Sequence, residues 1–281
     1  MSDSLSAVPG MQPLPAGEPT DIGGYRVLGV LERYGLLREY LVQQGKGAPL
    51  CLRTILFLDS ADEQTRERYR REVAAWTGLH HPNLRQVVDW GVWQNGSVYV
   101  VTAPLAGRRL DQVLAEEAPM AWPQARRLLE QLLQALEVLH GAGMVHRNLT
   151  PAGLNLDPQG VLQIVNYAMV SQGAPGAFTP TGVSMGDCHY IAPEQLFDAK
   201  RVDARSDLYS VGALAYQMVS GRPPHGEGKP AEILSRVASG DVVPLENLDP
   251  AVSGWVASLM TRDRQARLQT AREALRQLPG P

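Results

Sequence analysis

The 281-residue chain is 44% hydrophobic, long and apolar enough to bury a large core as one two-lobed domain or two small ones, and neither fibrous nor disordered. With 26 basic against 29 acidic side chains its formal net charge is -3, which supplies no global field to draw in nucleic acid or an anionic membrane. Partners must therefore be read from sites.

Residues 1–24 are rich in Pro, Gly, Ser and Ala without a hydrophobic period, a composition that does not repay the entropy of ordering and predicts a flexible tail. From 25 to 103 the chain alternates short apolar runs (YRVLGVL, REYLVQ, PLCLRTILFL, SVYVV) with one polar helical stretch, DEQTRERYRREVAAWTGL. That pattern predicts a small sheet of five strands carrying one helix that includes Glu72. From 104 to 278 the period becomes helical, with Leu129, Leu132, Leu133, Leu136 and Leu139 on one apolar face. SDLYSVGALAYQMVSG is apolar on most sides and stops at Gly221 before Pro223 and Pro224, as a buried central helix would. PAEILSRVAS, VSGWVASLMTR and TAREALRQL predict three further helices, and residues 279–281 read as the start of a linker.

Cys51 and Cys188 sit in no CxxC or Cys/His ligand spacing, which argues against a disulfide framework or zinc site and for a reducing, cytoplasmic compartment. No apolar run approaches the roughly 20 residues of a membrane helix, and the N-terminus lacks a basic-then-apolar signal pattern. Direct membrane insertion of this segment is not expected, although it is compatible with being the cytoplasmic domain of a longer, membrane-tethered protein.

The string HRNLTPAGLNLDPQGVLQIVNYAMV resembles the catalytic loop and metal-binding turn of bacterial Hanks-type Ser/Thr protein kinases, and the resemblance extends over nearly all of residues 25–278. It implies an α+β, bilobal protein-kinase-like fold, with a small β-rich N-lobe carrying one helix and a larger helical C-lobe. In that family an Asp orients the hydroxyl nucleophile while an Asn and an Asp hold Mg²⁺. Here the resemblance puts Asn148 at the first position, Thr150 at the loop Lys, Gly153 at the metal-binding Asn and Asn166 at the metal-binding Asp. A neutral amide cannot take up the hydroxyl proton, and the carboxylate that suits a hard cation is missing. In the small lobe Glu32, Tyr34 and Leu37 stand at the three glycine places of the phosphate loop, with only Gly35 between them. Bulk and negative charge there oppose close approach of phosphates. Arg53 occupies the phosphate-gripping Lys position and is expected to pair with Glu72, partly filling the cleft.

Other positions match the family's scaffold. Glu194 of IAPE has a candidate ion-pair partner in Arg267, Asp207 matches the residue that caps catalytic-loop amides, and His146, His80 and His81 look structural. The resemblance implies a pseudokinase acting as scaffold or allosteric regulator in Ser/Thr phosphosignalling: not an enzyme, with ATP binding weak or absent and no Mg²⁺. Two alternatives stay open. One is a weak or non-standard ATP-dependent transferase; the other is an ATP-binding sensor, for which the Ala103 carbonyl and Leu105 N–H remain available to an adenine edge. The segment FTPTGVSMGDCHYIAPE resembles an activation loop in which paired threonines are modified. It implies phosphorylation of Thr179 and Thr181 by an active Ser/Thr kinase, Arg147 as the phosphate's partner, and a phosphothreonine-reading protein as the receiver.

Overall fold

A computed structural model describes residues 11–34, 37–55, 63–165, 187–197 and 202–281. The chain divides into two units. The smaller takes the chain up to His80 and again Arg85–Leu105; the larger takes His81–Leu84 and Ala106–Pro281.

The smaller unit is built on strands β1 (Asp21–Ile22), β2 (Tyr25–Tyr34), β3 (Leu37–Gln43), β4 (Leu50–Ile55), β5 (Val87–Val92) and β6 (Val98–Thr102), with helix α1 (Glu63–Thr77). They form one sheet in the order β1-β2-β3-β4-β6-β5, antiparallel at every pairing. One more strand is present than the sequence predicts, and the reason is local. Gly23 and Gly24, at φ 62° and 86°, make the two-residue turn that left-handed glycines favour, so Ile22 pairs with Tyr25. A side chain at Gly23 would also meet the Tyr99 ring. Ile22 is fully buried among Tyr25, Val27, Val30, Tyr40, Val42, Leu52, Tyr99 and Val101. Residues 11–24 therefore differ from the tail that composition suggests: Gln12 exchanges backbone hydrogen bonds with Val30 at 2.8 and 3.0 Å, and Glu18 accepts from Arg33 and from the Tyr40 hydroxyl.

The larger unit contains α2 (Leu110–Glu117), α3 (Trp122–Gly141), α4 (Pro193–Phe197), α5 (Ala204–Ser220), α6 (Pro230–Ser239), α7 (Pro250–Leu259) and α8 (Ala271–Arg276). A small sheet joins β7 (Arg108–Arg109), β8 (Leu154–Leu156) and β9 (Leu162–Ile164). The five leucines of that apolar face, Leu129, Leu132, Leu133, Leu136 and Leu139 on α3, are all fully buried. In α5, Asp203 accepts from the Arg205 N–H at the start, and Gly221 ends the helix at φ 70°, a conformation that costs glycine little. The short piece His81–Leu84 belongs here because Asn83 Nδ2 donates to Gln131 Oε1 at 2.8 Å and to the Leu162 carbonyl at 2.7 Å.

Candidate functional site

Each unit carries one cluster of functional side chains, and each is built from its own backbone. In the smaller unit the strand register aligns Glu32 with Glu39, Glu39 with Arg53, and Arg53 with Val100. Directly paired residues of antiparallel strands point to the same face, so two carboxylates and a guanidinium stand in one row across three strands. Arg53 Nη2 lies 3.1 Å from Glu39 Oε2. Arg85 adds a second guanidinium, with Nη1 3.3 Å from Glu39 Oε1 and Nη2 donating to the Ala103 carbonyl at 3.1 Å.

The three charged groups are taken out of water: Glu39, Arg53 and Arg85 are 8%, 7% and 5% exposed. Burial alone would raise the Glu39 carboxyl, but the two guanidiniums outweigh it and hold the group below the usual carboxylate range. Cys51, two residues before Arg53 on β4, has its thiol pushed up by burial, against the opposing pull of Arg85. Glu39 thus gives Arg53 a carboxylate that sequence reasoning missed; Glu72, the partner expected from sequence, sits half-buried on α1. Of the adenine edge, the Ala103 carbonyl is engaged by Arg85 and Leu105 is 36% exposed.

In the larger unit one carboxylate organises the loop that follows α3. Asp207 on α5, fully buried, accepts from the His146 N–H at 2.8 Å and the Arg147 N–H at 2.7 Å. His140 Nε2 lies 2.8 Å from the same carboxylate, a contact absent from the sequence reading. Arg147 takes φ 66°, uncommon outside glycine, and its carbonyl accepts from Gln195 Nε2 at 2.8 Å. Held at both backbone groups, this turn presents Asn148 half-buried, with its N–H on His146 Nδ1 at 3.3 Å. Thr150 is buried, and Gly153 closes a 3-10 turn (Pro151–Gly153) by donating its N–H to the Thr150 carbonyl at 3.0 Å, while its own carbonyl accepts from the Val165 N–H at 3.0 Å. Arg267 Nη1 lies 2.8 Å from Glu194 Oε1 and also donates to the Arg205 carbonyl, and burial of the Glu194 carboxyl is outweighed by this guanidinium, which lowers it. Asn166, Thr179 and Thr181 lie outside the described residues.

Comparison with known proteins bears on what these clusters serve. The protein kinase domain family matches residues 41–278. The serine/threonine-protein kinase pkn2 of Myxococcus xanthus is 31% identical over 264 residues, covering 89% of this chain and 31% of that protein. Serine/threonine-protein kinase PknA of Mycobacterium tuberculosis is 32% identical over 212 residues, covering 73% of this chain and 49% of its own. The chain thus spans a third to a half of the length of these relatives. In structure it is similar to a point mutant of the PknI kinase domain of Mycobacterium tuberculosis, with a TM-score of 0.69 over 95% of this chain and 98% of that one at 22% identity. The fold is the protein kinase fold, with a curled β-sheet lobe and a helical lobe.

These findings correct two expectations. Relatives named as serine/threonine-protein kinases at 31% and 32% identity point to an enzyme, against the expectation of none. The family match equally overturns the expectation of no Mg²⁺ and little ATP, because phosphoryl transfer in this family uses both. The residues present fit Mg²⁺–ATP in part. In the smaller unit Arg53 keeps a cation for phosphate, and Asn166, at the metal-binding Asp position, carries an amide oxygen, a neutral hard donor of the kind Mg²⁺ accepts. Gly153 offers none, and among the described residues no group of three or more His, Cys, Asp or Glu is placed to hold a metal.

Proposed function

Since the chain belongs to the protein kinase family, we propose that it is a slow, non-standard ATP-dependent Ser/Thr phosphotransferase acting in cytoplasmic phosphosignalling. The observation that carries this reading is the braced loop: Asp207 holds the His146 and Arg147 amides at 2.8 and 2.7 Å, so the chain segment bearing Asn148 keeps a fixed backbone.

Mg²⁺–ATP, when bound, supplies the phosphoryl group and neutralises the charge that builds up as it leaves. Transfer of this kind runs through a loose transition state in which positioning and electrostatics do most of the work. Asn148 Oδ1 orients the substrate hydroxyl by accepting its hydrogen bond. It takes no proton, so that proton leaves to a phosphoryl oxygen or to water as the new P–O bond forms. Arg53, charged at every working pH, attracts the phosphates, although its planar head is not a lysine's point charge. Absence of a general base slows such a step by about 10²–10⁴-fold without abolishing it.

The same family membership supports a regulatory strand to this reading, in which an active Ser/Thr kinase modifies Thr179 and Thr181 and a phosphothreonine-reading protein is the receiver. The favouring observation is Arg147, whose N–H and carbonyl are both taken by the scaffold while the residue stays half-buried beside Asn148.

One experiment tests both strands. Purified protein is incubated with labelled ATP, Mg²⁺ and a generic basic substrate, with and without an active kinase from the same cell, and products are mapped by mass spectrometry. Slow transfer is expected, rising at least tenfold in Asn148→Asp. No transfer by either protein, with Mg²⁺ or Mn²⁺, overturns the enzyme; no phosphate on Thr179 or Thr181 overturns the regulatory strand.

A further inference from the structure

The smaller unit contains a buried charged group that the phosphotransfer reading does not use. Arg85 follows the larger unit's His81–Leu84 segment and re-enters the smaller unit with its head fixed at two points: Nη1 on Glu39 Oε1 at 3.3 Å and Nη2 on the Ala103 carbonyl at 3.1 Å. Glu39 is itself held on its other oxygen by Arg53 at 3.1 Å. Ala103 is an exposed residue and the bond its carbonyl accepts from Arg85 is only partly buried, so water can serve that carbonyl in place of Arg85. Glu39 Oε1 holds the guanidinium from one side, and the buried Cys51 thiol lies in hydrogen-bond contact with it as well.

A carbonyl at this place is the acceptor for a hydrogen-bond donor on a base edge, and in adenine that donor is the 6-amino group. A guanidinium N–H is the same kind of donor, planar and at a hydrogen-bonding distance. We propose that Arg85 stands in for the adenine amino group on the Ala103 carbonyl, with Glu39 as the residue that positions it. Adenine nucleotides then bind only by displacing an internal competitor, and the 6-amino group adds nothing to affinity while Arg85 stays in place. Glu39 and Arg85 become the residues that set nucleotide affinity and base preference in this chain. The inference rests on the reading that the chain binds ATP, yet it can be tested without phosphates, metal or turnover.

The test compares two ligands and two proteins by calorimetry or equilibrium dialysis: adenosine and purine riboside, which lacks the amino group, each against the wild type and Arg85→Met. Methionine keeps most of the apolar stem and removes the donors. The wild type is expected to bind the two nucleosides within twofold of each other. Arg85→Met is expected to bind adenosine at least tenfold more tightly than the wild type does and to prefer it over purine riboside by about five- to tenfold, the value of one recovered hydrogen bond. Glu39→Gln, which loosens the hold on Arg85, should shift adenosine affinity in the same direction by a smaller factor.

A wild-type preference for adenosine of tenfold or more shows the carbonyl already open to the amino group and overturns the proposal, even if Arg85→Met fails to fold. Unchanged or weaker adenosine binding in a folded Arg85→Met, including no binding by either protein, overturns it as well. Tighter adenosine binding by Arg85→Met with no phosphotransfer from any variant leaves this inference standing and removes the kinase reading alone.

Discussion

Both units bury an arginine against a carboxylate, and the two arrangements do different jobs. In the larger unit Arg267 bridges Glu194, the Arg205 carbonyl and the Thr261 carbonyl, so one guanidinium ties α4 to α5 and to the segment after α7. Its partners are main-chain groups and a carboxylate that depends on it for charge. In the smaller unit Arg85 bridges Glu39 and the Ala103 carbonyl, and the first is already held by Arg53 while the second belongs to an exposed residue. The lesson is that a buried ion pair is a brace when its removal orphans backbone, and a removable latch when every group it leaves behind has another partner.

Matching substitutions put that contrast at risk. Arg267→Met should be the most damaging, because it strips Glu194 of its compensating charge and takes the donor from two carbonyls; a loss of about 3–5 kcal/mol in urea unfolding is expected, and a loss below about 1 kcal/mol would erase the distinction.

Acid should find the larger unit next. Burial pushes His189 down to about 4, with the neighbouring His225 ring and Arg236 adding to it, and His225 is lowered by its own burial. The His225 Nδ1 lies 2.7 Å from the Asp241 carbonyl and so must donate, which leaves Nε2 to accept from the Tyr209 hydroxyl at 2.9 Å. The folded pair is neutral, whereas the unfolded chain takes up protons from about pH 6.5. Stability is therefore fully present above that value and drains as pH falls toward 4, where His189 alone accounts for about 3 kcal/mol. Denaturant titrations at pH 7, 5.5 and 4 should show this slope, and His189→Leu should flatten it. Glu39, lowered in the smaller unit, gives stability that is fully present above the ordinary carboxylate range and is lost only as pH falls below it, and His81 is also lowered by burial, so a slope above pH 5 that survives His189→Leu, His225→Leu and His81→Leu together would contradict the assignment.

The smallest effect belongs to the latch: Arg85→Met should cost no more than about 1–2 kcal/mol, since Glu39 keeps Arg53 and the Ala103 carbonyl turns to water. A cost equal to that of Arg267→Met would make Arg85 a brace too.

How much of this is legible in the sequence follows the same division. The α3 leucines repeat on one helical face, and α5 announces its end with Gly221, so the larger unit's core can be read from spacing alone. Asp207, Glu194 and Arg267 stand at positions that the kinase resemblance already marks. The smaller unit's charges are another matter. In LREYLVQ, Glu39 looks like one more polar residue of a half-exposed strand, and only the register that sets it opposite Arg53 brings it inside; a slip of one residue would turn it to the other face. Arg85 reads as a loop charge because nothing local shows that its stem is buried. Resemblance points Arg53 toward Glu72, and the strand pairing adds Glu39 beside it. Composition misjudges residues 11–24, although the Gly-Gly at 23 and 24 is a hairpin signal that composition averages away.

The two cysteines happen to be distributed one to each unit, Cys51 beside the latch and Cys188 against Ile233 and Val237, and both are buried thiols outside any disulfide. Only an exposed thiolate reacts with a disulfide reagent, and burial keeps the Cys51 proton on still more firmly. Modification must then wait for each unit to open. The chain carries two built-in clocks, and the ratio of their labelling rates measures how far opening of the smaller unit, with its latch, is decoupled from opening of the larger.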